Sequence, residues 1–352
     1  MRRLPIFFVL DVSESMAGEN IRQLNQGLES LVKNLRTDPH ALETVYLSVI
    51  VFAGKARTLT PLVELASFYP PRLPLGSGTS LGAALEHLMN EIDRSVIKTT
   101  PDQKGDWKPV VYLMTDGKPT DQADAAIQRW KDKYSNRVSL VAIGIGKHAS
   151  LSALSNLTEN AFILSANNEA EFKRFIDWVS LSMSAQSRSV SAGPAEAISL
   201  AKLDDSILKK VEKITQATQV DEDFVIITGR CQTTKLPYIM RYERMPEQEV
   251  RTSDFKIQVA HYNLNGVFPL ENDYFELSDD RVVAQSVNSN SLIGAPGCPH
   301  CGNPIGFGMC SCGKLMCLKG SGKATCPWCS TISEFVMSEA GDPGMDVTRA
   351  RG

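Results

Sequence analysis

The chain has 352 residues, of which 43% are hydrophobic and 22% charged, a composition typical of a folded protein with two or three domains. Its formal net charge of -3 gives no electrostatic preference for nucleic acid or for an anionic membrane, so neither is an expected partner. The sequence contains neither a long uncharged apolar run nor a signal-peptide pattern. We therefore expect a cytoplasmic location.

Strands and helices alternate along the first 185 residues. The apolar run Ile6–Leu10 predicts a strand buried on both faces, and apolar residues at helical spacing predict a helix over Asn20–Leu35. The same criteria predict a helix over Leu81–Val96 and a strand over Val110–Thr115. Because the alternation continues to residue 185, we expect a Rossmann-like α/β domain over residues 1–185, with a doubly wound, mostly parallel sheet.

Acids and hydroxyls lie at the ends of these elements. Asp11, Ser13 and Ser15 end the first strand, Thr79 precedes the second helix, and Asp116 follows the strand at 110–115. The carboxyl ends of parallel strands share one edge of a sheet, so we expect these side chains to lie together. Carboxylate and hydroxyl oxygens suit a hard cation such as Mg²⁺, whereas the alternative interpretation makes the same residues helix caps.

The order of these motifs resembles the metal-ion-dependent adhesion site of von Willebrand factor A domains. Its three parts are DxSxS at 11–15, Thr79 within GxGTSLG, and Asp116 within MTDGxPTD. The resemblance implies that the three hydroxyls contact Mg²⁺, Mn²⁺ or Ca²⁺, and that the two acids bind directly or through water. It also implies an open coordination position for an Asp or Glu of a partner protein. The expected partner-binding rim comprises Met16, Ser77, Gly117, Lys118 and Thr120.

The second half of the chain has a different pattern. A change to small and polar residues predicts a linker over residues 186–204. A short helix at about 205–217 and short antiparallel strands are predicted over 205–290. We expect a β-rich, cysteine-containing metal-binding region over 291–338 and a disordered tail over 339–352.

Seven of the eight cysteines lie between Cys298 and Cys329, which in a reducing compartment indicates metal binding rather than disulfides. Cys298 and Cys301 form one C-P-x-C pair, and Cys326 and Cys329 form another. Four such thiolates suit one tetrahedral, structural Zn²⁺. A redox role for either pair requires a βαβ context that is lacking here.

Cys310, Cys312 and Cys317 lie between the two pairs, in a segment with a predicted hairpin turn at Gly313-Lys314. In that hairpin Cys310 opposes Cys317 and the three sulfurs share one face. They are interpreted as core thiols, as ligands of a second Zn²⁺ together with His300, or as ligands exchanged with the two pairs in a cross-braced arrangement. One zinc ion is preferred to two, and Cys231 is interpreted as a structural thiol.

An A domain followed by a strand-rich region and the CPHC, CSC and CPWC motifs resembles the bacterial TerY family. The resemblance implies a cytosolic, metal-dependent interaction protein of tellurium-resistance and stress-response systems. It also implies a protein kinase and a metal-dependent protein phosphatase as partners.

Two other function classes compete with this interpretation. A Mg²⁺-dependent phosphohydrolase would use Asp11 as nucleophile, but such enzymes usually place a second acid two residues later, where this chain has Ser13. The zinc region is alternatively the functional docking module, with the A domain as its scaffold. We expect no enzymatic activity.

Overall fold

The structure is a computed structural model. It describes residues 2–116, 119–145, 151–164, 169–192, 200–201, 208–210, 223–245, 249–251, 256–258, 260–278, 285–336 and 344–350. The chain divides into two units. The first comprises Met1–Leu73 with Thr79–Gln219, and the second comprises Pro74–Gly78 with Val220–Gly352.

The described elements of the first unit alternate in type, as expected from the sequence. They are β1 (Leu4–Asp11), α1 (Glu19–Leu35), α2 (Pro39–Thr44), β2 (Val45–Phe52), β3 (Ala56–Glu64), α3 (Leu81–Ser95), β4 (Val110–Thr115), α4 (Asp124–Lys133), β5 (Ser139–Ile145), α5 (Leu151–Leu157), β6 (Ala161–Leu164), α6 (Glu169–Ala192) and β7 (Leu208–Lys210).

These strands form a seven-stranded sheet in the order β3-β2-β1-β4-β5-β6-β7. The five inner strands are parallel, and β3 and β7 pair antiparallel at the two edges. Strand β1 is an inner strand, between β2 and β4, and all eight of its residues are buried. The predicted α/β fold is confirmed, and the continuous apolar run of β1 is explained by burial on both faces.

Helices pack against this sheet through apolar side chains. Phe7 and Val9 of β1 share a core cluster with Leu85 of α3 and with Trp130 of α4. Helices α1 and α6 pack closely together at Gly27, where an added Cβ would lie 2.7 Å from the Cδ1 atom of Ile176.

The predicted linker at 186–204 begins too early. Helix α6 continues to Ala192, and Ser187 is buried with its Oγ 2.7 Å from the Oγ1 of Thr44. Ser187, one of the small polar residues that suggested a linker, thus packs inside the unit. The predicted helix at 205–217 is also wrong where it is described, because Leu208–Lys210 is strand β7, paired with β6. Its other residues lie outside the described ranges.

The second unit is rich in short strands, as predicted. Its described elements are β8 (Phe224–Arg230), β9 (Pro237–Arg244), β10 (Glu249–Arg251), β11 (Lys256–Gln258), β12 (Tyr262–Pro269), α7 (Tyr274–Leu277), β13 (Ser286–Asn288), β14 (Leu292–Ile293), β15 (Ile305–Met309), β16 (Leu315–Leu318), β17 (Gly322–Thr325), β18 (Ile332–Phe335) and β19 (Asp346–Thr348). Six of them form a mixed sheet in the order β14-β12-β9-β8-β16-β15, and β17 and β18 form a separate ribbon.

The predicted disordered tail at 339–352 is partly ordered. Strand β19 pairs with β13, and Val347 is 2% exposed. The N–H of Ala350 donates to the carbonyl of Ile226, 2.8 Å away. One apolar side chain and the backbone hydrogen bonds therefore hold this segment on the second unit, whereas 339–343 and 351–352 lie outside the described residues. None of the helices in the described ranges has both the length and the apolar character needed to cross a bilayer.

Candidate metal centres

The first candidate centre lies at the carboxyl end of β1. Asp11 is completely buried, and its Oδ1 accepts a hydrogen bond of 2.9 Å from the N–H of Ser13. Its Oδ2 accepts a hydrogen bond from the hydroxyl of Thr115, the last residue of β4. The Oγ atoms of Ser13 and Ser15 are 2.9 Å apart. Both hydroxyls are therefore held beside the buried carboxylate.

Asp116 also contacts this group of acid and hydroxyl side chains. Its Oδ1 accepts a 2.8 Å hydrogen bond from the hydroxyl of Ser15, and its Oδ2 accepts a 3.2 Å hydrogen bond from the side-chain amide of Asn20. The structure thus brings the two predicted acids and the two serines together. Asn20, in the first turn of α1, was missed as a site residue, and its polar side chain at a helix start gave only an ordinary surface signal.

The loop that carries Thr79 is fixed by backbone contacts on two sides. The N–H of Thr79 donates to Thr120 Oγ1 at 2.9 Å, and the N–H of Thr120 donates to the carbonyl of Thr79 at 2.8 Å. The N–H of Ser80 donates to the carbonyl of Ala53, directly after β2. Gly78 has φ of +91°, a conformation that L side chains rarely adopt. Thr79 is therefore held between the carboxyl ends of β2 and β4.

Asp121 reinforces the same connection. Its Oδ2 accepts a 3.3 Å hydrogen bond from the N–H of Ala83, in the first turn of α3. The N-cap residue of α3, Ser80, makes no capping hydrogen bond with its own side chain. A Cβ added to Gly82 would lie 2.8 Å from that Oδ2, so glycine permits this approach. Asp121 ends the MTDGxPTD motif, a position that could have identified it as a site-forming residue.

Burial raises the pKa of Asp11 to about 6, against hydrogen bonds from Thr115 and Ser13 that lower it. A buried carboxylate is costly to ionise unless a partner charge or a metal offsets the lost hydration. The donor set consists of two carboxylates and hydroxyl groups on three loops, and this set fits a hard divalent cation.

Two groups of four cysteines form the other candidate centres, both in the second unit. Cys231, Cys298, Cys301 and Cys317 form the first thiol group, and Cys310, Cys312, Cys326 and Cys329 form the second thiol group. Within each group all sulfur atoms lie within 4.8 Å of one another.

The sulfur separations fit a tetrahedral metal. Cys301 and Cys317 have sulfurs 3.7 Å apart in the first group, and in the second group the pairs 310/329 and 312/326 are 3.8 and 3.9 Å apart. Four ligands at the usual Zn–S distance of about 2.3 Å would be separated by about 3.8 Å. All eight cysteines are free thiols. Each group is thus suited in ligand type and spacing to hold one tetrahedral metal ion such as Zn²⁺.

Three of the cysteines begin turns of one shape. At Cys231, Cys298 and Cys326 the cysteine N–H bonds the carbonyl five residues later, and its carbonyl accepts from the N–H four residues later. The fourth following residue has positive φ in each turn, namely Lys235, Gly302 and Ser330. The same turn that forms each C-P-x-C pair is therefore present at Cys231, between β8 and β9.

Two family models match the chain where these centres lie. The von Willebrand factor type A domain matches residues 6–178, and the TerY-C metal binding domain matches residues 221–352. The chain belongs to the TerY family. The resemblance carried by its motifs is confirmed, and metal binding is a property of the matched C-terminal family.

Other proteins resemble parts of this TerY-family chain at lower identity. Inter-alpha-trypsin inhibitor heavy chain H2 of Mus musculus is 25% identical over 260 residues, 63% of this chain and 26% of that protein. Matrilin-3 of Gallus gallus is 24% identical over 149 residues, 42% of this chain and 32% of that protein. The chain therefore spans a third or less of the length of these relatives. A solved von Willebrand factor type A structure from Catenulispora acidiphila has 13% identity and a TM-score of 0.42, with 80% of this chain and 69% of that chain covered.

The predicted rim of the adhesion site needs correction in this TerY-family chain. Met16 is completely buried, so it packs in the core instead of facing a partner. Ser77 belongs to the second unit, where its N–H donates to Ser278 Oγ at 3.0 Å. Thr120 is half-buried and holds the loop of Thr79. Gly117 and Lys118 lie outside the described residues.

The predicted zinc site was wrong in its grouping. Cys298 and Cys301 do not share a site with Cys326 and Cys329, because the first pair groups with Cys231 and Cys317 and the second with Cys310 and Cys312. The predicted opposition of Cys310 and Cys317 also fails. Met309 pairs with Leu315 in the β15–β16 hairpin, so Cys310 lies in the turn, and the two cysteines join different groups.

Cys231 and His300 both differ from the roles expected for them. Cys231, interpreted as a structural thiol, completes the first thiol group because the β8–β9 hairpin places it beside Cys317 and the Cys298–Cys301 turn. His300 lies outside both groups, and its Nε2 donates to the carbonyl of Pro237 at 2.8 Å. This contact joins the two turns of the first group. No local sequence pattern marks Cys231 as a ligand, since the other cysteines are far along the chain.

Proposed function

We propose that this protein is a non-enzymatic adaptor that binds a protein partner through a divalent cation, most simply Mg²⁺, with Mn²⁺ or Ca²⁺ as substitutes. The ligands are Ser13, Ser15 and Thr79, together with Asp11 and Asp116, directly or through water. One observation carries the proposal: Asp11 is an ionisable carboxylate buried among hydroxyls at a sheet edge where three loops converge.

The side chains have separate tasks in this proposal. Asp11 supplies negative charge and orients Ser13 through its N–H, while Ser15 links the first loop to Asp116. Thr120 and Asp121 keep the loop of Thr79 at the carboxyl edge of the sheet. A bound cation would supply a positive centre with an open position for an Asp or Glu side chain of the partner.

The second unit is proposed to hold two Zn²⁺ ions, one in each thiol group. Closed sites with four thiolates are typical of structural zinc, which contributes directly to the stability of small domains. The unit would thereby present a fixed surface beside the strand-rich sheet, and it needs no catalytic role.

The cellular setting is proposed from the TerY family. We place the protein in the cytoplasm, in tellurium-resistance or stress-response signalling, with a protein kinase and a metal-dependent protein phosphatase as candidate partners. Ser13 stands where a Mg²⁺-dependent phosphohydrolase usually has a second acid, and this supports binding over catalysis.

The experiment is a pull-down from native cells with the wild type, Asp11→Asn and Ser13→Ala, each in Mg²⁺ and in EDTA, followed by mass spectrometry. Asp102→Ala is the matched control, because Asp102 is an exposed acid of the same unit. We expect one or more proteins to be captured by the wild type and Asp102→Ala in Mg²⁺ and lost in the other arms. Circular dichroism and zinc content must match among the variants.

Capture that is unchanged in Asp11→Asn and Ser13→Ala would contradict the proposal and assign partner binding to the second unit. Steady hydrolysis of a generic phosphoester, abolished in Asp11→Asn, would favour the enzyme instead. Loss in EDTA alone, with zinc also removed, would likewise point to the second unit.

A further inference from the structure

The two thiol groups differ in their access to solvent. In the first group Cys231, Cys298 and Cys317 are buried and Cys301 is half-buried, and all four belong to the apolar core cluster around Tyr238. In the second group Cys310 and Cys326 are buried, whereas Cys312 and Cys329 are exposed. A dissolved oxidant therefore has readier access to the second group, which has two exposed cysteines, than to the first, which has one half-buried cysteine.

Each exposed thiol of the second group has a buried thiol beside it. The Sγ of Cys329 is 3.8 Å from that of Cys310, and the Sγ of Cys312 is 3.9 Å from that of Cys326. All four sulfurs lie within 4.8 Å of one another, and each of these two contacts joins an exposed cysteine to a buried one that can attack it from within. A disulfide has an S–S length of about 2.05 Å, so each pair must close by about 2 Å.

The surrounding strands allow this movement more readily in the second group. Cys326 and Cys329 lie in the turn of the β17–β18 ribbon, which has two strands and pairs with no further strand among the described residues. Cys310 and Cys312 lie in the turn that connects β15 to β16, at the edge of the six-stranded sheet. By contrast, Cys317 lies within the inner strand β16, and Cys231 directly follows the inner strand β8.

We propose that the second thiol group is an oxidation site for peroxides, at which Cys310–Cys329 and Cys312–Cys326 disulfides form and the metal ion is released, while the first group keeps its metal. This inference concerns the second unit and goes beyond the proposed adhesion through Asp11.

The chemistry balances for hydrogen peroxide. The thiolate of Cys329 or Cys312 attacks one peroxide oxygen, the O–O bond breaks, and hydroxide leaves and takes a proton to become water. The neighbouring buried thiolate then attacks the resulting sulfenic acid, the S–O bond breaks, and a second water leaves. Each disulfide uses one peroxide, two thiolates and two protons. Two peroxides and four protons therefore convert the four thiolates into two disulfides and four waters, and Zn²⁺ loses its ligands.

The fluorescence of Trp328 should report this change. It lies between Cys326 and Cys329 in sequence, and its Nε1–H donates to the carbonyl of Leu315 at 2.7 Å. The guanidinium of Arg230 lies 4.1 Å from the centre of its ring and the ammonium of Lys314 lies 4.6 Å from it. Movement of the turn would displace the ring from both cations, and its fluorescence should change with metal release.

The test uses the full chain loaded with two zinc ions and treated with increasing hydrogen peroxide. Released zinc is measured with a chromogenic chelator, and disulfides are mapped by peptide mass spectrometry after the remaining thiols are alkylated. We expect half of the zinc to be released with two peroxides consumed per ion, and the 310–329 and 312–326 peptides to be linked. Dithiothreitol with added zinc should restore two ions per chain and the initial fluorescence.

The first group serves as the control within the same molecule. Equal rates of zinc loss from both groups, or disulfides that involve Cys231, Cys298, Cys301 or Cys317 at the same peroxide dose, would overturn the proposal. Retention of both ions under a large peroxide excess would also overturn it. None of these outcomes depends on binding at Asp11, so they are distinct from a failure of the adhesion proposal.

Discussion

Asp11 is a residue at which burial and charge conflict. Its carboxylate has no exposed surface, and burial raises its pKa to about 6. Hydrogen bonds from Ser13 and Thr115 recover part of the lost hydration. A divalent cation would offset the rest, and this conflict is therefore the residue-level basis of the adhesion proposal.

Replacement of Asp121 should affect both stability and Mg²⁺ binding. Asp121→Ala removes the acceptor for the N–H of Ala83 and loosens the loop of Thr79. We expect a loss of about 1 kcal/mol in the free energy of unfolding, as for other helix caps, together with weaker Mg²⁺ binding. Chemical denaturation and Mg²⁺ titration measure the two effects, with Asp102→Ala as control. Unchanged Mg²⁺ affinity would show that Asp121 does not position the site.

The helices and strands that could be predicted from the sequence are those with a local signal. Strand β1 and the acids at strand ends were predictable, because apolar runs and motif order are local signals. Helix α2 was not predicted, although Asp38 accepts from the N–H of His40 and caps it, with Pro39 as its first residue. The grouping of the cysteines was not predictable, because it depends on pairing between hairpins distant in sequence.

The β8–β9 hairpin leads to a prediction about zinc content. Cys231→Ser should lower the zinc content from two ions to one per chain, because it removes a ligand that the turn places in the first thiol group. Thr233→Ser, an exposed position in the same turn, is the matched control and should keep both ions. Zinc is measured by atomic absorption on purified protein. Two ions in Cys231→Ser would restore the interpretation of Cys231 as a structural thiol.

Across the whole molecule, two units use different physical means to stay folded. The first has a seven-stranded sheet buried beneath helices. The second has short strands, and its main core cluster contains the thiols of the first group. Small domains of this kind usually need metal or disulfide links in addition to their apolar core. We therefore expect the two units to respond differently to loss of zinc.

Zinc chelation tests this difference. A strong zinc chelator should remove amide protection from β8, β9 and β16, whereas β1 and β4 should keep theirs, because no thiol group lies in the first unit's described residues. Hydrogen exchange with mass spectrometry reports both units in one sample, and added zinc should reverse the effect. Equal loss of protection in both units would contradict this account.

Mn²⁺ binding to zinc-loaded protein most directly tests whether a cation binds at the carboxyl end of β1. Binding is followed by electron paramagnetic resonance, and wild type, Asp11→Asn and Asp102→Ala are compared. We expect one bound Mn²⁺ per chain in wild type and Asp102→Ala, displaced by excess Mg²⁺, and none in Asp11→Asn at unchanged zinc content. Equal Mn²⁺ binding in folded Asp11→Asn would contradict the assignment of the cation to the carboxyl end of β1.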